Sequence, residues 1–146
     1  EFRRVLFRSW VGRDSKIAPT AKLEGPCWLG CGVHVGPHAS IGPNTIVEDE
    51  TFIDETAELA ESWVGPQTYV GGLTSIYESL AWGSALVNWR TESHITVPDP
   101  FLLSSVAQAR SAVTTLLAPR RLPAIFSETF ARPIAALASL RAKLPG

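Results

Sequence analysis

A hydrophobic residue recurs every six positions in the first half of the chain, at Val11, Ile17, Leu23, Leu29, Val35, Ile41, Val47, Ile53 and Leu59. The positions four residues after these carry small side chains: Ser15, Ala21, Cys27, Val33, Ala39, Thr45, Thr51 and Ala57. Six is not a helical period, since 3.6 residues per turn would carry the aliphatic residues to opposite faces. The pattern predicts short strands separated by corners, with one aliphatic and one small residue pointing inward from each repeat.

This period is the hexapeptide repeat, and it resembles the left-handed parallel β-helix family, in which three hexapeptides form a triangular coil of about eighteen residues. We therefore predict an all-β solenoid, a left-handed parallel β-helix of about five coils, stabilised by stacking of one coil on the next. After Leu59 the spacing slips by one residue to Val64, and we expect coiling to continue to about residue 97. The alternative is a meander of short antiparallel strands.

Three segments are predicted along the chain. Residues 1–9 contain Arg4–Ser9 (RVLFRS), which a common sequencing adapter would encode, so we hypothesise a cloning artefact there. Residues 10–103 form the β-helix, and residues 104–146 form an amphipathic helical tail. Ser104 and Ser105 are candidate N-caps for the first tail helix, and further helical patches lie at 125–130 and 134–144.

Charge divides the chain into an acidic body and a basic tail. Residues 10–100 carry a net charge of −8 and residues 101–146 carry +5, although the whole chain sums to −1. The tail is expected to dock on the acidic body or to contact an anionic membrane surface, and no nucleic acid partner is expected. The two cysteines, Cys27 and Cys31, are consistent with a reducing cytoplasm and form a poor metal motif.

Stacking the repeats also predicts what the outer surface carries. Trp28 should lie over Ile46, and His34 over Phe52, at outward-facing positions. We predict a packing surface that includes Trp28, Ile46 and Phe52, since exposed apolar columns usually contact a partner. The partner would be the tail, another subunit or a missing N-terminal domain. The acidic residues of segment 48–61 are interpreted as a solvated face rather than a metal site.

The segments that follow the regular repeats resemble the C-terminal hexapeptide domain of bacterial sugar-phosphate nucleotidyltransferases of the mannose-1-phosphate guanylyltransferase-like kind. They are Thr68–Thr74, Ser79–Gly83, Leu86–Trp89 and Val97–Leu103. The resemblance implies a parent enzyme that joins an NTP to a sugar 1-phosphate, with Mg²⁺ bound in a separate catalytic domain. That domain is expected to be missing here, so no catalytic, cofactor-binding or metal-binding residue is carried over. The implied roles are support of the catalytic domain, homo-oligomerisation or regulation.

Hexapeptide β-helices also resemble acyl- and acetyltransferases, which bind acyl-CoA and use a histidine as general base. Under that alternative, His34 and His38 are the candidate catalytic residues. Two observations oppose it: no long loop interrupts the regular repeats, and the Trp-rich segments fit the nucleotidyltransferases better. A metal-free module similar to carbonic-anhydrase-like hexapeptide proteins is a third alternative, although no two histidines stack at an interval of eighteen.

Overall fold

A computed structural model describes residues 3–5 and 8–116, and over this part the chain is a parallel β-helix followed by one short helix. The predicted fold class is confirmed. The elements in chain order are β1 (Arg3–Val5), β2 (Ser9–Val11), β3 (Lys16–Ile17), β4 (Lys22–Leu23), β5 (Cys27–Leu29), β6 (His34–Val35), β7 (Ser40–Ile41), β8 (Thr45–Val47), β9 (Phe52–Ile53), β10 (Glu58–Ala60), β11 (Trp63–Val64), β12 (Thr68–Val70), β13 (Ser75–Tyr77), β14 (Ser79–Trp82), β15 (Ala85–Asn88), β16 (Ser93–Thr96), β17 (Leu103–Ser105) and α1 (Val106–Leu116).

Three sheets, parallel except at the ends of two of them, form the sides of the β-helix. Sheet A has the strand order β1-β2-β5-β8-β11-β14-β15-β16, sheet B has β17-β12-β9-β6-β3, and sheet C has β13-β10-β7-β4. Away from the two ends, each coil strand pairs with the strands three before and three after it, so that Ile41 lies between Leu23 and Leu59. The described residues contain four complete turns, from β2 to β13, and β14 begins a fifth.

The core consists of the two predicted inward series. Leu29, Ile41, Val47 and Ile53 are fully buried, as are the small residues Ala39 and Ala57 between them. In the first coil, Ile17 and Leu23 are only partly buried. The reason is that β3 and β4 have a neighbouring strand on one side only among the described residues.

The slip in spacing after Leu59 is a corner shortened by one residue. Leu59 pairs with Ile41, at an interval of eighteen, whereas Val64 pairs with Val47, at an interval of seventeen. The interval of seventeen is kept in the next coil, where Ile76 pairs with Leu59. The period therefore changes without loss of the parallel stacking.

Coiling ends earlier than the sequence suggested. β15 runs antiparallel to β14 and β16 runs antiparallel to β15, so the segment around residues 85–97 is a meander and not another coil. The reversal is a two-residue turn at Gly83 and Ser84, where Gly83 has a φ of 56°. A turn of the Gly-X type joins antiparallel strands. Leu86 and Val97 then pack against the core.

The two ends of the described chain are also antiparallel additions. β1 pairs with β2 and β17 pairs with β12, so each covers the edge of a parallel sheet. The predicted helix is confirmed at Val106–Leu116, and Ser105 caps it: Gln108 N donates to Ser105 Oγ at 3.2 Å while Ser105 N donates to Gln108 Oε1 at 3.3 Å. This is a reciprocal capping box. The later tail patches at 125–130 and 134–144 lie outside the described residues, and the adapter origin of residues 1–9 stays a hypothesis.

The corners of the coil repeat one backbone conformation. A residue with φ between 48° and 67° occupies every corner from β2 to β14 except the two on either side of β4: Asp14, Gly32, His38, Asn44, Glu50, Thr56, Glu61, Gln67, Leu73 and Glu78. The left-handed region is costly for most residues and is tolerated best by glycine and asparagine. The sharp turn needed to stack triangular coils is therefore made at these corners against local preference, and burial of the core offsets its cost.

Leu73 is the corner residue at which this cost is easiest to measure, since its side chain is 84% exposed. Replacing Leu73 with asparagine is expected to raise the free energy of unfolding by about 0.5 to 1 kcal/mol, because asparagine enters the left-handed region more readily. Urea unfolding measures the change. Leu102→Asn is the matched control, at a 47% exposed leucine without positive φ. An equal gain in both variants would contradict the backbone explanation.

Candidate functional site

One column of outward-facing apolar residues crosses six of the eight strands of sheet A. Strand pairing places Trp10 beside Trp28, Trp28 beside Ile46, and Ile46 beside Trp63. The column continues through Leu80 and Val87. We call these six residues, Trp10, Trp28, Ile46, Trp63, Leu80 and Val87, the aromatic row. With strands about 4.8 Å apart, the row is about 24 Å long.

The aromatic row is open to solvent. Trp10 is 48% exposed, Ile46 40% and Trp63 43%, while Trp28 is half-buried. Burying an aromatic side chain is strongly favourable, so aligned tryptophan side chains that stay exposed forgo a large burial energy. The row is a continuous set of exposed and half-buried apolar side chains, and we take it as the candidate functional site.

A short motif places the indoles. The segments Ser9–Gly12 (SWVG), Cys27–Gly30 (CWLG) and Ser62–Gly65 (SWVG) each consist of a small inward residue, an outward tryptophan, an inward aliphatic residue and a glycine. Strand alternation puts the second residue of each segment on the outer face. The packing surface predicted from the sequence includes Trp28 and Ile46 but not Trp10 or Trp63. The threefold repeat of this motif was the signal that could have revealed them.

The motif's glycines have steric roles. A Cβ at Gly12 would lie 2.5 Å from the carbonyl of Gly30 in the next coil, so a side chain there would separate the coils. A Cβ at Gly65 would lie 2.6 Å from the ring of Trp82. The Trp82 ring therefore lies over Gly65, and with 53% of its surface exposed it widens the apolar surface beside the row.

Carboxylates border the aromatic row on both sides. Glu48 follows β8 directly, and its Oε1 accepts a hydrogen bond from Trp63 Nε1 at 3.0 Å. Glu61 lies two residues before Trp63, where the chain enters β11. Because all strands in this part of sheet A are parallel, residues that enter and residues that leave a strand lie at opposite edges. Glu78, at the same edge as Glu61, forms an ion pair with Arg90 at 2.5 Å.

The remaining acidic residues of the corner after β8 accept hydrogen bonds from residues in adjacent coils. Asp49 Oδ1 accepts from the backbone N of Cys31 at 2.6 Å, and Glu50 Oε2 accepts from Gln67 Nε2 at 2.8 Å. Within residues 8–114, no group of three or more histidine, cysteine or acidic side chains has the arrangement of a metal site. The Mg²⁺ implied by the nucleotidyltransferase resemblance belongs to a separate catalytic domain and stays a prediction.

Sheet B carries a second column, which is mostly covered. His34 stacks on Phe52, and Phe52 stacks on Tyr69, with 5.7 Å between ring centroids in each pair. Tyr69 is 2% exposed, and its hydroxyl donates to Oδ2 of the buried Asp54 at 2.7 Å. The predicted packing surface is thus divided: Trp28 and Ile46 are neighbours on sheet A, whereas Phe52 lies on sheet B. Positions six residues apart fall on successive sides of the coil.

The two histidines of the acyltransferase alternative occupy different settings. His34 is half-buried on the outer face of sheet B, and its Nδ1 lies 3.2 Å from the carbonyl oxygen of Gly32. His38 lies at the following corner with a φ of 58°, and its backbone N donates to Thr20 Oγ1 at 3.1 Å. Both contacts are made within the β-helix. The alternative stays a prediction.

Burial changes the acidity of two groups in the core. Burial and the bond to the Asp54 carboxylate both raise the pKa of Tyr69, so its hydroxyl stays protonated as a donor. Burial also raises the pKa of the Cys27 thiol, which donates to Ser9 Oγ at 3.3 Å. A protonated, packed thiol is a poor nucleophile. Cys27 is therefore a core residue, as its place in the inward series predicts.

None of the helices in the described residues has the length and apolar character needed to cross a membrane. The aromatic row consists of apolar side chains in register, which suit association rather than covalent chemistry.

Comparison with models of known protein families gives no match, and comparison with curated proteins gives none either.

Proposed function

We propose that this chain is a non-catalytic docking module whose aromatic row receives a protein partner. The single observation that carries the proposal is the alignment of Trp10, Trp28 and Trp63 with Ile46 in one exposed column. Tryptophan is enriched among the residues that dominate binding energy at protein interfaces. Three of the five tryptophans in the sequence occupy this one column.

The rigidity of the coil supports this role. The inward neighbours of the row, such as Leu29, Val47 and Val64, are fully buried and packed between coils. The indoles are therefore held on a surface that does not need to be ordered on binding. Preorganised surfaces lose less entropy on association, and more of the contact energy appears as affinity.

We further propose that the module belongs to a cytoplasmic nucleotidyltransferase that makes nucleotide-sugars for surface polysaccharides. Support comes from the hexapeptide coils and from the resemblance of the segments around Trp82 and Trp89. Sequencing the natural gene upstream of the codon for Trp10 tests this assignment. A nucleotidyltransferase domain with its Gly-rich loop is the expected result, and a start codon directly before the repeats would contradict it.

Oxidative footprinting tests the docking face. In this chain alone, the indoles of Trp10 and Trp63 are expected to oxidise readily, since nearly half of each side chain is exposed. In the natural full-length protein, a partner domain or subunit seated on the row would protect both. Mass spectrometry of tryptic peptides gives the oxidised fraction at each tryptophan.

Trp89 is the internal control, because it is 51% exposed but lies in the loop after β15 and not in the row. Protection of Trp10 and Trp63 with unchanged oxidation of Trp89 supports docking on the row. Equal oxidation of all three in the full-length protein would overturn the proposal. The predicted homo-oligomer is tested alongside by sedimentation velocity, since self-association through the row would protect the same indoles as concentration rises.

A further inference from the structure

We infer that the partner of the aromatic row is a cationic amphipathic polypeptide segment, with apolar side chains for the indoles and lysine or arginine for the flanking carboxylates. The inference rests on the proposed docking function of the row and adds the chemistry of the partner. It follows from the charges beside Ile46 and Trp63 in the middle of the row, which are carboxylates at both edges of the strands.

Residues 8–26, which include Trp10 and the first coil, are net positive, with four basic residues against Asp14 and Glu24. The coils that hold the rest of the row are acidic. Residues 27–100 contain ten acidic residues and a single basic one, Arg90, for a net charge of −9. Arg90 is already in an ion pair with Glu78. An incoming surface therefore meets carboxylates beside Ile46 and Trp63, in the middle of the row. Complementary charge raises the rate of encounter and excludes partners of the wrong sign.

Two carboxylates are close enough to the indoles to take part in recognition. Glu48 is hydrogen-bonded to the Trp63 ring itself, and the exposed Glu61 lies at the other edge of the same strand pair. A lysine or arginine laid across Trp63 would contact the face of the indole and a carboxylate at either side. Cations are attracted to the faces of indoles, and more strongly where water is excluded.

The same charges disfavour a second copy laid face to face on the row. A dimer centred on Trp63 would bring Glu48 and Glu61 of one protomer against the same carboxylates of the other, and like charges across an interface cost several kcal/mol. An anionic partner is opposed for the same reason. A neutral apolar partner would leave the borders unused, whereas a cationic amphipathic segment uses both the row and its borders.

Peptide titration tests the inference on the full 146-residue chain. The probes are a fluorescently labelled leucine–lysine peptide and a leucine–glutamate peptide with the same leucine spacing, followed by anisotropy. We expect the leucine–lysine peptide to bind and the leucine–glutamate peptide not to bind. Binding should weaken as salt rises from about 0.1 M to about 1 M, which shortens the Debye length from about 10 Å to about 3 Å.

Variants locate the binding. The double variant Glu48→Gln/Glu61→Gln keeps an acceptor for Trp63 Nε1 and removes two charges, and we expect about three- to tenfold weaker binding of the leucine–lysine peptide. Glu55→Gln, at the corner between β9 and β10, removes one charge away from sheet A and is expected to leave binding unchanged. Trp63→Ser should weaken binding about tenfold or more.

The outcomes separate this inference from the proposed function. Equal binding of both peptides, lost in Trp63→Ser, would overturn the cationic partner and leave the row as a docking face. The same conclusion would follow if Glu48→Gln/Glu61→Gln left the affinity unchanged while Trp63→Ser lowered it. Peptide binding that is unaffected by Trp63→Ser would overturn both. Circular dichroism of each variant confirms that the coil is intact.

Discussion

Replacing Ile41 with aspartate is expected to unfold the β-helix at room temperature. Ile41 is fully buried in β7, with Leu23 below it and Leu59 above it. The change forfeits about 1.5 to 3 kcal/mol of side-chain burial and places a carboxylate among aliphatic side chains. Together these exceed about 5 kcal/mol, the lower end of typical domain stability. Loss of the β-sheet signal in circular dichroism is the measurement.

Ile46→Asp is the matched control for this prediction. Ile46 is the same residue type in the same lattice of strands, but it faces outward and is 40% exposed. We expect this variant to stay folded, with a loss of about 1 kcal/mol or less in the free energy of unfolding. If both variants unfolded, or neither did, the assignment of inward and outward faces would be wrong.

Replacing Tyr69 with phenylalanine is expected to lower the free energy of unfolding by about 1.5 to 3 kcal/mol, the usual cost of removing a partner from a buried charged group. The lost hydroxyl donates to Asp54 Oδ2 at 2.7 Å, whereas the bond that Asp54 Oδ1 accepts from the backbone N of Glu55 at 2.8 Å would remain. The rings remain stacked, so the variant isolates the hydrogen bond. Urea unfolding at neutral pH measures the loss.

Tyr77→Phe is the control, since the Tyr77 hydroxyl also donates to a carboxylate, that of Glu58, but at an exposed position. Its effect should lie within about 0.5 kcal/mol, as for most surface substitutions. Losses of equal size in the two variants would contradict a role for burial.

Alkaline pH provides a second test of the same pair. The pKa of Tyr69 is raised in the folded state, so on raising the pH the unfolded chain loses this proton first, near the ordinary tyrosine pKa of about 10. The contribution of Tyr69 to stability is therefore complete below that pH and declines above it. Tyr69→Phe should show a shallower decline than the wild type between pH 9 and 11, and an identical slope would contradict the assignment.

The repeat was readable from composition and spacing because the constraint is local. Each hexapeptide needs one aliphatic and one small inward residue, so Ile41 and Ala39 obey the same rule as Ile53 and Thr51. The pairings of Trp28 with Ile46 and of His34 with Phe52 followed from the same arithmetic and are confirmed. The helix at Val106–Leu116 was likewise signalled by its cap.

The spacing of hydrophobic residues did not predict where the β-helix ends. Leu86 and Val97 keep enough aliphatic character to continue the pattern, but the turn at Gly83 and Ser84 reverses the chain. An aliphatic residue at the end of a solenoid packs on the core whether its strand is parallel or antiparallel. The hydrophobic pattern therefore leaves the strand direction undetermined, and turn geometry sets it.

The features that the sequence determined and those that the tertiary structure decided differ for a simple physical reason. Spacing along the chain was sufficient for the solenoid, its inward residues and its acidic character, since these depend on neighbours in sequence. The aromatic row depends on register between coils, including the corner shortened before Trp63, which brings that indole onto Ile46 at an interval of seventeen. Side chains that are seventeen or eighteen residues apart become one surface only when the coils stack. Folding therefore established which tryptophans act together.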